Sequence, residues 1–349
     1  MTRLTTMAIA AFLLLFALPA SGLEISRDAL FVRVIDVGNG HAAVISMPGG
    51  HYMVYDTGLG ETTLQGVQSV IPEGEDIDLM ILSHTDGDHI GGVDEILEHY
   101  SVKTIIRPGL PRDTDAWCQA RTAIRAAEKN GTKVINLAKT AVPAGRTFRY
   151  GDTRVVFVSG FSKPPKSWGE LTPSEFYNAG SVVVRIVFAG RSILFTGDAV
   201  GLKLCKSDPC HGPESIIATE KYMVDNAANV PIASDVLIAP HHGSRGSSSL
   251  EFITAVSPKW VIFPAGRSSH DHPHQAAAKR YLALTPIPTI LRTDRHDDEG
   301  KEEWACGRIE GHRDRKGDDD VDIGVLASGD LTVAYRDDTP PSLPQCITN

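Results

Sequence analysis

The sequence has 349 residues, of which 42% are hydrophobic and 22% are charged. This composition excludes a disordered or collagen-like chain, and the length is enough for one large or two ordinary domains. With 34 Lys and Arg against 43 Asp and Glu, the formal net charge is −9, which argues against a broad basic surface for duplex nucleic acid.

Residues 1–22 have the features of a cleaved secretory signal peptide. Arg3 precedes an apolar run over residues 7–18, and small residues follow at Ala20 and Gly22, as at a signal-peptidase site. The alternative is a retained membrane anchor, but about twelve apolar residues are too few to span a bilayer as a helix. We expect a secreted or periplasmic protein with no stable membrane association.

Exported proteins are in an oxidising environment, so the five cysteines are candidates for disulfide bonds. The expected assignment is two pairs and one free thiol: Cys205 with Cys210, Cys306 with Cys346, and Cys118 free. The alternative for the first pair is a zinc knuckle with His211, which lacks a clear fourth ligand.

Apolar runs and turn residues predict the elements in chain order. Strands are predicted over residues 30–37, 42–47, 51–55, 78–83, 103–107, 153–158, 181–188, 192–195, 235–239 and 260–263. Helices are predicted over residues 62–70, 93–100, 116–130, 215–228, 249–255 and 275–284. Each half of the chain has strands followed by strand and helix units, which favours an α/β sandwich of two mixed sheets with helices outside.

One domain is predicted over residues 23–338, followed by a Pro-rich tail over 339–349. Residues 295–320 are dense in charge, and we expect an exposed, partly disordered insertion there. A calcium loop over residues 318–322 is the alternative for its end, but the distal Glu of an EF-hand is missing. A closing pair of strands is predicted over 321–336.

Histidines and carboxylates concentrate where predicted strands end. Four potential ligands follow the strand over 78–83: His84, Asp86, Asp88 and His89. Asp198 follows a second strand, His241 and His242 a third, and His272 and His274 a fourth. Because these strand ends can meet at one sheet edge, the pattern predicts a site for one or two divalent metal ions.

Together with Asp56, these motifs resemble the metallo-β-lactamase fold, an αββα sandwich, and within it the ComEC-like branch, the soluble hydrolase domain of competence DNA-uptake proteins. The likeness spans residues 30–335 and rests on segments 35–41, 83–92, 178–183, 194–198, 235–248, 272–274 and 292–294. It implies hydrolysis by a metal-activated water, with Asp88 as ligand and orienter of that water and Asp198 as a bridge between ions.

Two departures from the common pattern of this fold affect the expected metal. Asp86 stands where most such hydrolases have His, and a further His near Tyr177 or Asn178 is absent. Carboxylate in place of imidazole shifts the preference from Zn²⁺ toward Mn²⁺ or Mg²⁺. The second metal position keeps Asp88, His89 and Asp198, with either His241 or His242. His41 stands where Asp is usual, and its orientation is left open.

Further roles follow from the resemblance and from residue chemistry. His272 or His274 is expected to protonate or contact the leaving group, although a loop that only chelates adventitious metal is the alternative. Asp56 is expected to be buried and hydrogen-bonded to the turn around the metal loop. A donor-rich segment is suited to holding phosphate: Ser244, Arg245 and Ser247.

The sequence therefore predicts an exported metal-dependent phosphodiesterase or nuclease, acting on single-stranded or fragmented DNA, with Mn²⁺ or Zn²⁺, or else Mg²⁺, as cofactor. No protein partner is indicated. One alternative is a zinc-dependent lactone, ester or β-lactam hydrolase of the same fold. Another is a non-catalytic module that retains a metal.

Overall fold

Two mixed β-sheets packed face to face form the centre of the protein in a computed structural model, which describes residues 23, 25–203, 215–266, 270–296, 300–309, 317 and 319–336. The predicted signal peptide, the tail over 339–349, Cys205, Cys210 and Cys346 lie outside the described residues. The disulfide pairing therefore stays a prediction, whereas Cys118 is a free, exposed thiol as expected.

The described strands are β1 (Leu30–Val34), β2 (Ala42–Met47), β3 (His51–Thr57), β4 (Ile77–Ile81), β5 (Val102–Arg107), β6 (Lys133–Asn136), β7 (Thr147–Tyr150), β8 (Thr153–Ser159), β9 (Val183–Phe188), β10 (Arg191–Phe195), β11 (Val236–Ile238), β12 (Trp260–Phe263), β13 (Thr289–Arg292), β14 (Val321–Val325) and β15 (Leu331–Tyr335). The described helices are α1 (Glu61–Gln68), α2 (Gly87–Ile90), α3 (Val93–His99), α4 (Asp115–Lys129), α5 (Pro173–Asn178), α6 (Ala218–Asn226), α7 (Leu250–Val256) and α8 (Gln275–Leu282).

Both sheets have the same plan, half antiparallel and half parallel. The first runs β15-β14-β1-β2-β3-β4-β5-β6, and its pairs are parallel from β3 to β6. The second runs β13-β12-β11-β10-β9-β8-β7, and its pairs are parallel from β13 to β10. The αββα sandwich expected from the sequence is thus confirmed.

Alternation along the strands explains the layers, because successive side chains of a strand point to opposite faces. In β1, Leu30 and Val32 belong to the core between the sheets, together with Phe195 and Ile238 of the second sheet. Phe31 belongs instead to the core under the helices α3 and α4. A third core joins the outer face of the second sheet to α7 and α8. Sheets buried on both faces hold the loops at their strand ends in fixed positions.

The acidic segment near the C-terminus is partly buried where the structure describes it, although residues 300–302 are exposed. Arg295 pairs with Asp319, and Arg33 of β1 makes a two-pronged ion pair with Asp322 of β14; all four side chains are buried. Within the predicted insertion, Arg295 and Asp319 are thus buried rather than exposed, because each neutralises a charge that the local sequence leaves unpaired.

The segment over 292–294, one basis of the family resemblance, has a structural role. The buried guanidinium of Arg292 donates to both carboxylate oxygens of Asp294 and binds Glu303. This network attaches the stretch over 300–309 to the end of β13.

Within the described residues, no helix has the length and apolar character needed to cross a membrane.

Candidate metal centre

The turn after β4 carries the first predicted ligands: His84, Asp86, Asp88 and His89. Both imidazoles are buried and both carboxylates are half-buried. Gly92 allows this turn to pack closely on the end of β3, because a Cβ at that position would lie 2.6 Å from the carbonyl oxygen of Thr57. The turn therefore places imidazoles inside the protein and carboxylates nearer to its surface.

Asp198, which follows β10, lies at the centre of the site. Its Oδ1 lies 3.1 Å from His89 Nε2 and 3.5 Å from His242 Nε2. Its Oδ2 lies 3.6 Å from His84 Nε2 and 3.5 Å from His241 Nε2. Asp88 completes the first half, with Oδ2 3.6 Å from His242 Nε2. We call these residues the Asp198 cluster: His84, Asp88, His89, Asp198, His241 and His242.

The two adjacent histidines after β11 face different oxygens of Asp198, so the structure brings both of them to the cluster where the sequence left one or the other. Both adopt the left-handed conformation, with φ of 51° at His241 and 55° at His242. His241 Nε2 also lies 3.3 Å from Nδ2 of the buried Asn178. Many hydrolases of this fold have a His ligand near the position of residue 178, which this sequence lacks. In this protein the imidazole of His241 lies there instead.

The hydrogen bonds behind the imidazoles leave lone pairs pointing into the cluster. His242 Nδ1 donates to the carbonyl oxygen of Pro264 at 2.7 Å, and His89 Nδ1 donates to Asp56 Oδ2 at 2.8 Å. Their Nε2 atoms then face each other at 3.1 Å. Two nitrogen lone pairs at this distance require a cation between them, and Asp198 Oδ1 beside them has no hydrogen-bond donor among the described residues. The donor set therefore fits a divalent metal ion.

Electrostatics also favour a positive charge at this point. Burial alone lowers the pKa of His89, but the carboxylates of Asp198 and Asp56 outweigh burial and raise the pKa well above its usual value. Burial raises the pKa of Asp198, and the surrounding imidazoles outweigh it and hold that pKa well below its usual range. Protons and a metal ion therefore compete for this position.

Asp56, at the end of β3, is fully buried and supports the metal turn. Its carboxylate accepts hydrogen bonds from the amide and hydroxyl of Ser83, at 2.6 and 2.7 Å, and from His89. His41 Nδ1 lies 3.2 Å from the same carboxylate. The orientation that the sequence left open for His41 is therefore toward Asp56.

Asp86 has a partner that no motif indicated. Arg112, from the loop between β5 and α4, forms an ion pair with Asp86 Oδ1, and its guanidinium lies 4.8 Å from the ring centre of Tyr177. Asp86 Oδ2 faces the cluster, 4.0 Å from His84 Nε2. Arg112 lies in a loop with no recognisable pattern, so its contact is a product of tertiary packing alone.

The two histidines predicted to meet the leaving group lie in different surroundings. The ring of His272 lies 5.5 Å from that of His241 and 6.0 Å from that of His242. Burial, with those imidazoles, lowers the pKa of His272 to about 2, so its side chain is neutral at physiological pH. His274 instead caps α8, where its Nδ1 accepts a hydrogen bond from the amide of Ala276.

The segment predicted to hold phosphate is largely occupied by internal hydrogen bonds. Ser247 is fully buried, and its hydroxyl donates to the carbonyl oxygens of Pro240 and Ser244. The hydroxyl of Ser247 thus has partners within the protein, and its contact with substrate stays a prediction. The hydroxyl of Ser244, also buried, accepts a bond from Gly246. The local sequence could not reveal these bonds, because they depend on how the chain folds back on itself.

Two residues outside the motifs hold this segment. Glu220 of α6, fully buried, accepts hydrogen bonds from the amides of Ser248 and Ser249 and from the Ser249 hydroxyl. Arg280 of α8 donates to three backbone carbonyls of the segment. Sequence reasoning gave neither residue a role, since a lone Glu and a lone Arg on helices carry no signal.

Residues 35–266 match the family model described as the metallo-beta-lactamase superfamily. The chain belongs to this superfamily. Among curated proteins, it is 27% identical over 289 residues to ComE operon protein 3 of Bacillus subtilis, covering 76% of this chain and 32% of that protein. It is 27% identical over 270 residues to competence protein ComA of Neisseria gonorrhoeae, covering 75% and 31%. The chain thus spans about a third of the length of these curated relatives.

Solved structures of metallo-beta-lactamase fold proteins are also similar. YhfI from Bacillus subtilis shares 14% identity, with 76% of this chain and 96% of that chain covered and a TM-score of 0.45. The short form of human tRNase Z shares 15% identity, with 74% and 96% covered and a TM-score of 0.40.

Proposed function

We propose that this metallo-beta-lactamase protein is an exported, divalent-metal-dependent phosphodiesterase that acts on single-stranded or fragmented DNA. The observation that carries the proposal is the division of the cluster by Asp198, whose two oxygens face separate sets of imidazoles. The residues on either side of Asp198 would hold one divalent ion each, and enzymes of phosphoryl transfer commonly use two such ions.

Each half of the cluster offers its own ligands. His84 and His241, with Asp198 Oδ2, would hold one ion, and Asp86 Oδ2 lies beside them. Asp88, His89 and His242, with Asp198 Oδ1, would hold the other. This mixture of carboxylate and imidazole suits Mn²⁺ and Zn²⁺, and its oxygen content extends the range toward Mg²⁺. A bound ion there supplies Lewis acidity toward a phosphoryl oxygen and lowers the pKa of water.

The protein's own side chains supply orientation and hydrogen bonds. Asp88 is half-buried beside His242, where its carboxylate can orient water. His272 is neutral, so it is better suited to donate an N–H to a bound phosphate than to act as a general acid. The cap at α8 separates His274 from this chemistry, and we assign the contact with substrate to His272 alone.

The substrate class rests on the relatives. The name of the Neisseria gonorrhoeae relative refers to competence, and that of a Haemophilus influenzae relative, which is 25% identical, refers to recombination. Both processes concern DNA. A phosphodiester of DNA is therefore favoured over a lactone or β-lactam. The apolar run over residues 7–18 supports an activity outside the cytoplasm.

The test uses the purified full-length protein loaded with Mn²⁺, Mg²⁺ or Zn²⁺. We expect turnover of bis(p-nitrophenyl) phosphate and of labelled single-stranded DNA, and its loss with a chelator. Asp198→Asn should lower turnover by more than the roughly 100-fold that loss of a supporting hydrogen bond costs, and should lower the bound metal measured by mass spectrometry. The matched control is Asp225→Asn, on the exposed face of α6.

Two results would overturn the proposal. The first is the absence of phosphodiester turnover with all three metals. The second is efficient hydrolysis of nitrocefin or a lactone by the zinc-loaded protein without phosphodiester turnover, which would favour the carbon-ester alternative.

A further inference from the structure

We propose that Arg112 binds the anionic oxygens of the substrate and thereby selects charged phosphodiesters over neutral esters. The inference rests on the proposed function and names the residue that gives it specificity. Arg112 enters the site from the loop between β5 and α4, outside every segment on which the family resemblance rests.

The position of Arg112 suits a residue that meets a ligand. About 28% of its side chain is exposed, and that of Asp86 is exposed to 20%, so the pair lies at the entrance of the site rather than within the core. From there the guanidinium reaches the turn that carries the cluster.

Asp86 links the arginine to the cluster. One carboxylate oxygen pairs with Arg112, and the other faces His84 Nε2 at 4.0 Å. A carboxylate can hold a guanidinium in place, whereas an imidazole at this position would offer it no negative charge. The residue type at position 86 thus serves to fix a cation within reach of the ligands.

Tyr177 fixes the guanidinium from a second side. Its ring centre lies 4.8 Å from the guanidinium carbon of Arg112, which is a cation–π distance. The next residue, Asn178, approaches His241 at 3.3 Å, so the end of α5 contacts both the arginine and the cluster. Contacts from two elements orient the guanidinium before any ligand binds, and this lowers the entropic cost of binding.

The segment that the sequence predicts to hold phosphate already binds other residues of the protein. The amides of Ser248 and Ser249 donate to Glu220, and carbonyls of the same segment accept from Arg280. These backbone donors are not available to a phosphate. Arg112 offers the planar, two-pronged N–H donors that a phosphodiester anion accepts and that a neutral lactone or ester does not use.

The experiment compares Arg112→Ala and Arg112→Lys with Arg125→Ala, a control on the exposed face of α4. In the Mn²⁺-loaded protein, Arg112→Ala should raise the KM for bis(p-nitrophenyl) phosphate and the Kd for inorganic phosphate about 10- to 100-fold. Lysine should restore only part of the affinity, because it lacks the two-pronged geometry. Inhibition by the neutral methyl triester of the same substrate should stay within about twofold of wild type.

An equal loss of affinity for the diester and the neutral triester would overturn the proposal, since it would mark Arg112 as a support of the fold or the metal turn. An unchanged Kd for phosphate would also overturn it. Because phosphate binding is measured at equilibrium, the proposal is tested even if the wild-type protein turns over no phosphodiester. In that case only the proposed function fails, and an Arg112-dependent Kd still supports anion binding.

Discussion

One buried carboxylate, Asp56, determines which nitrogen of several imidazoles faces the metal centre. It accepts from His89 Nδ1 and from the hydroxyl of Ser83. Since that hydroxyl donates its hydrogen to Asp56, its oxygen accepts from His84 Nδ1, which lies 3.0 Å away. Both histidines therefore direct Nε2 lone pairs toward Asp198. The orientation of both ligands therefore depends on Asp56, which contacts their Nδ1 side, directly or through Ser83, and not the side that faces Asp198.

We expect Asp56→Asn to weaken metal binding about 10- to 100-fold, the usual cost of removing a hydrogen-bond partner behind a ligand. An amide accepts through one oxygen only, so one of the imidazoles loses its acceptor and is free to change tautomer. The measurement is competition for Zn²⁺ against a chelator of known affinity. Asp225→Asn is again the control, and an unchanged affinity in the Asp56 variant would contradict this account.

At the scale of elements, the loop after β11 holds an unfavourable backbone conformation. His241, His242 and Gly243 are successive residues with φ between 51° and 81°, and for the two histidines this costs about 1 to 2 kcal/mol each. Such strain persists only where the surrounding structure enforces it. The following segment is held by hydrogen bonds that Glu220 accepts and Arg280 donates, and these provide that support.

The carboxyl of Glu220 makes this support depend on pH. Burial raises the pKa of Glu220 from 4.5 to about 7, although bonds from Ser249 and Ser248 lower it in part. Between these pH values the folded protein keeps a proton that the unfolded chain releases. The contribution of Glu220 to the free energy of unfolding therefore falls as pH rises from about 4.5 to 7.

Glu220→Gln should remove this component of the pH dependence. At pH of about 5 the variant should be less stable by about 1 to 3 kcal/mol, because an amide nitrogen cannot accept the bonds from Ser249. The difference from wild type should narrow as pH rises through 7, as measured by urea unfolding at several pH values. Glu251→Gln, on the exposed side of α7, should show no such trend. A difference that is constant with pH would contradict the assignment.

The features that can be predicted from the sequence are those that a local pattern of residues determines. Ligands at the ends of β4, β10 and β11 were found because each follows an apolar strand and a small-residue turn. Short elements such as β6 and β7 were missed, since they are half-exposed and lack a clear apolar run. Arg112 and Glu220 were missed because their contacts form only when distant elements pack. The backbone bonds of Ser247 could not be predicted, because a hydroxyl gives no local sign of whether it faces substrate or backbone.

At the scale of the whole molecule, buried ion pairs join the two ends of the domain in one sheet. Arg33 of β1 and Asp322 of β14 are 289 residues apart in sequence, and their side chains are 2.7 Å apart. Beside them, Asp320 accepts a bond from the amide of Asp36. Part of the acidic composition thus lies inside the protein, where arginines neutralise it, and these carboxylates do not repel an anion at the surface.

Removing the cation from this network should destabilise the whole sheet. Arg33→Ala takes the two-pronged guanidinium partner away from the buried carboxylate of Asp322, whereas the neighbouring Asp320 keeps its ion pair with Arg336. Breaking a buried pair in this way costs about 3 to 5 kcal/mol. The loss should appear as a lower urea midpoint for the entire domain, because β1 and β14 are neighbours within one sheet. Lys221→Ala, which breaks an exposed pair, should change stability by about 0.5 kcal/mol or less.

A double variant separates two contributions to the free energy of unfolding: that of the ion pair itself and that of leaving one buried charge alone. Arg33→Met with Asp322→Leu replaces both partners with apolar side chains, and it should recover most of the stability lost in Arg33→Ala, because no unpaired carboxylate remains at position 322. If the double variant is as unstable as the single one, the ion pair itself, rather than relief of a buried charge, holds β14 against β1. Metal affinity should be unchanged in both variants, since the pair touches no residue of the Asp198 cluster in the described part of the chain.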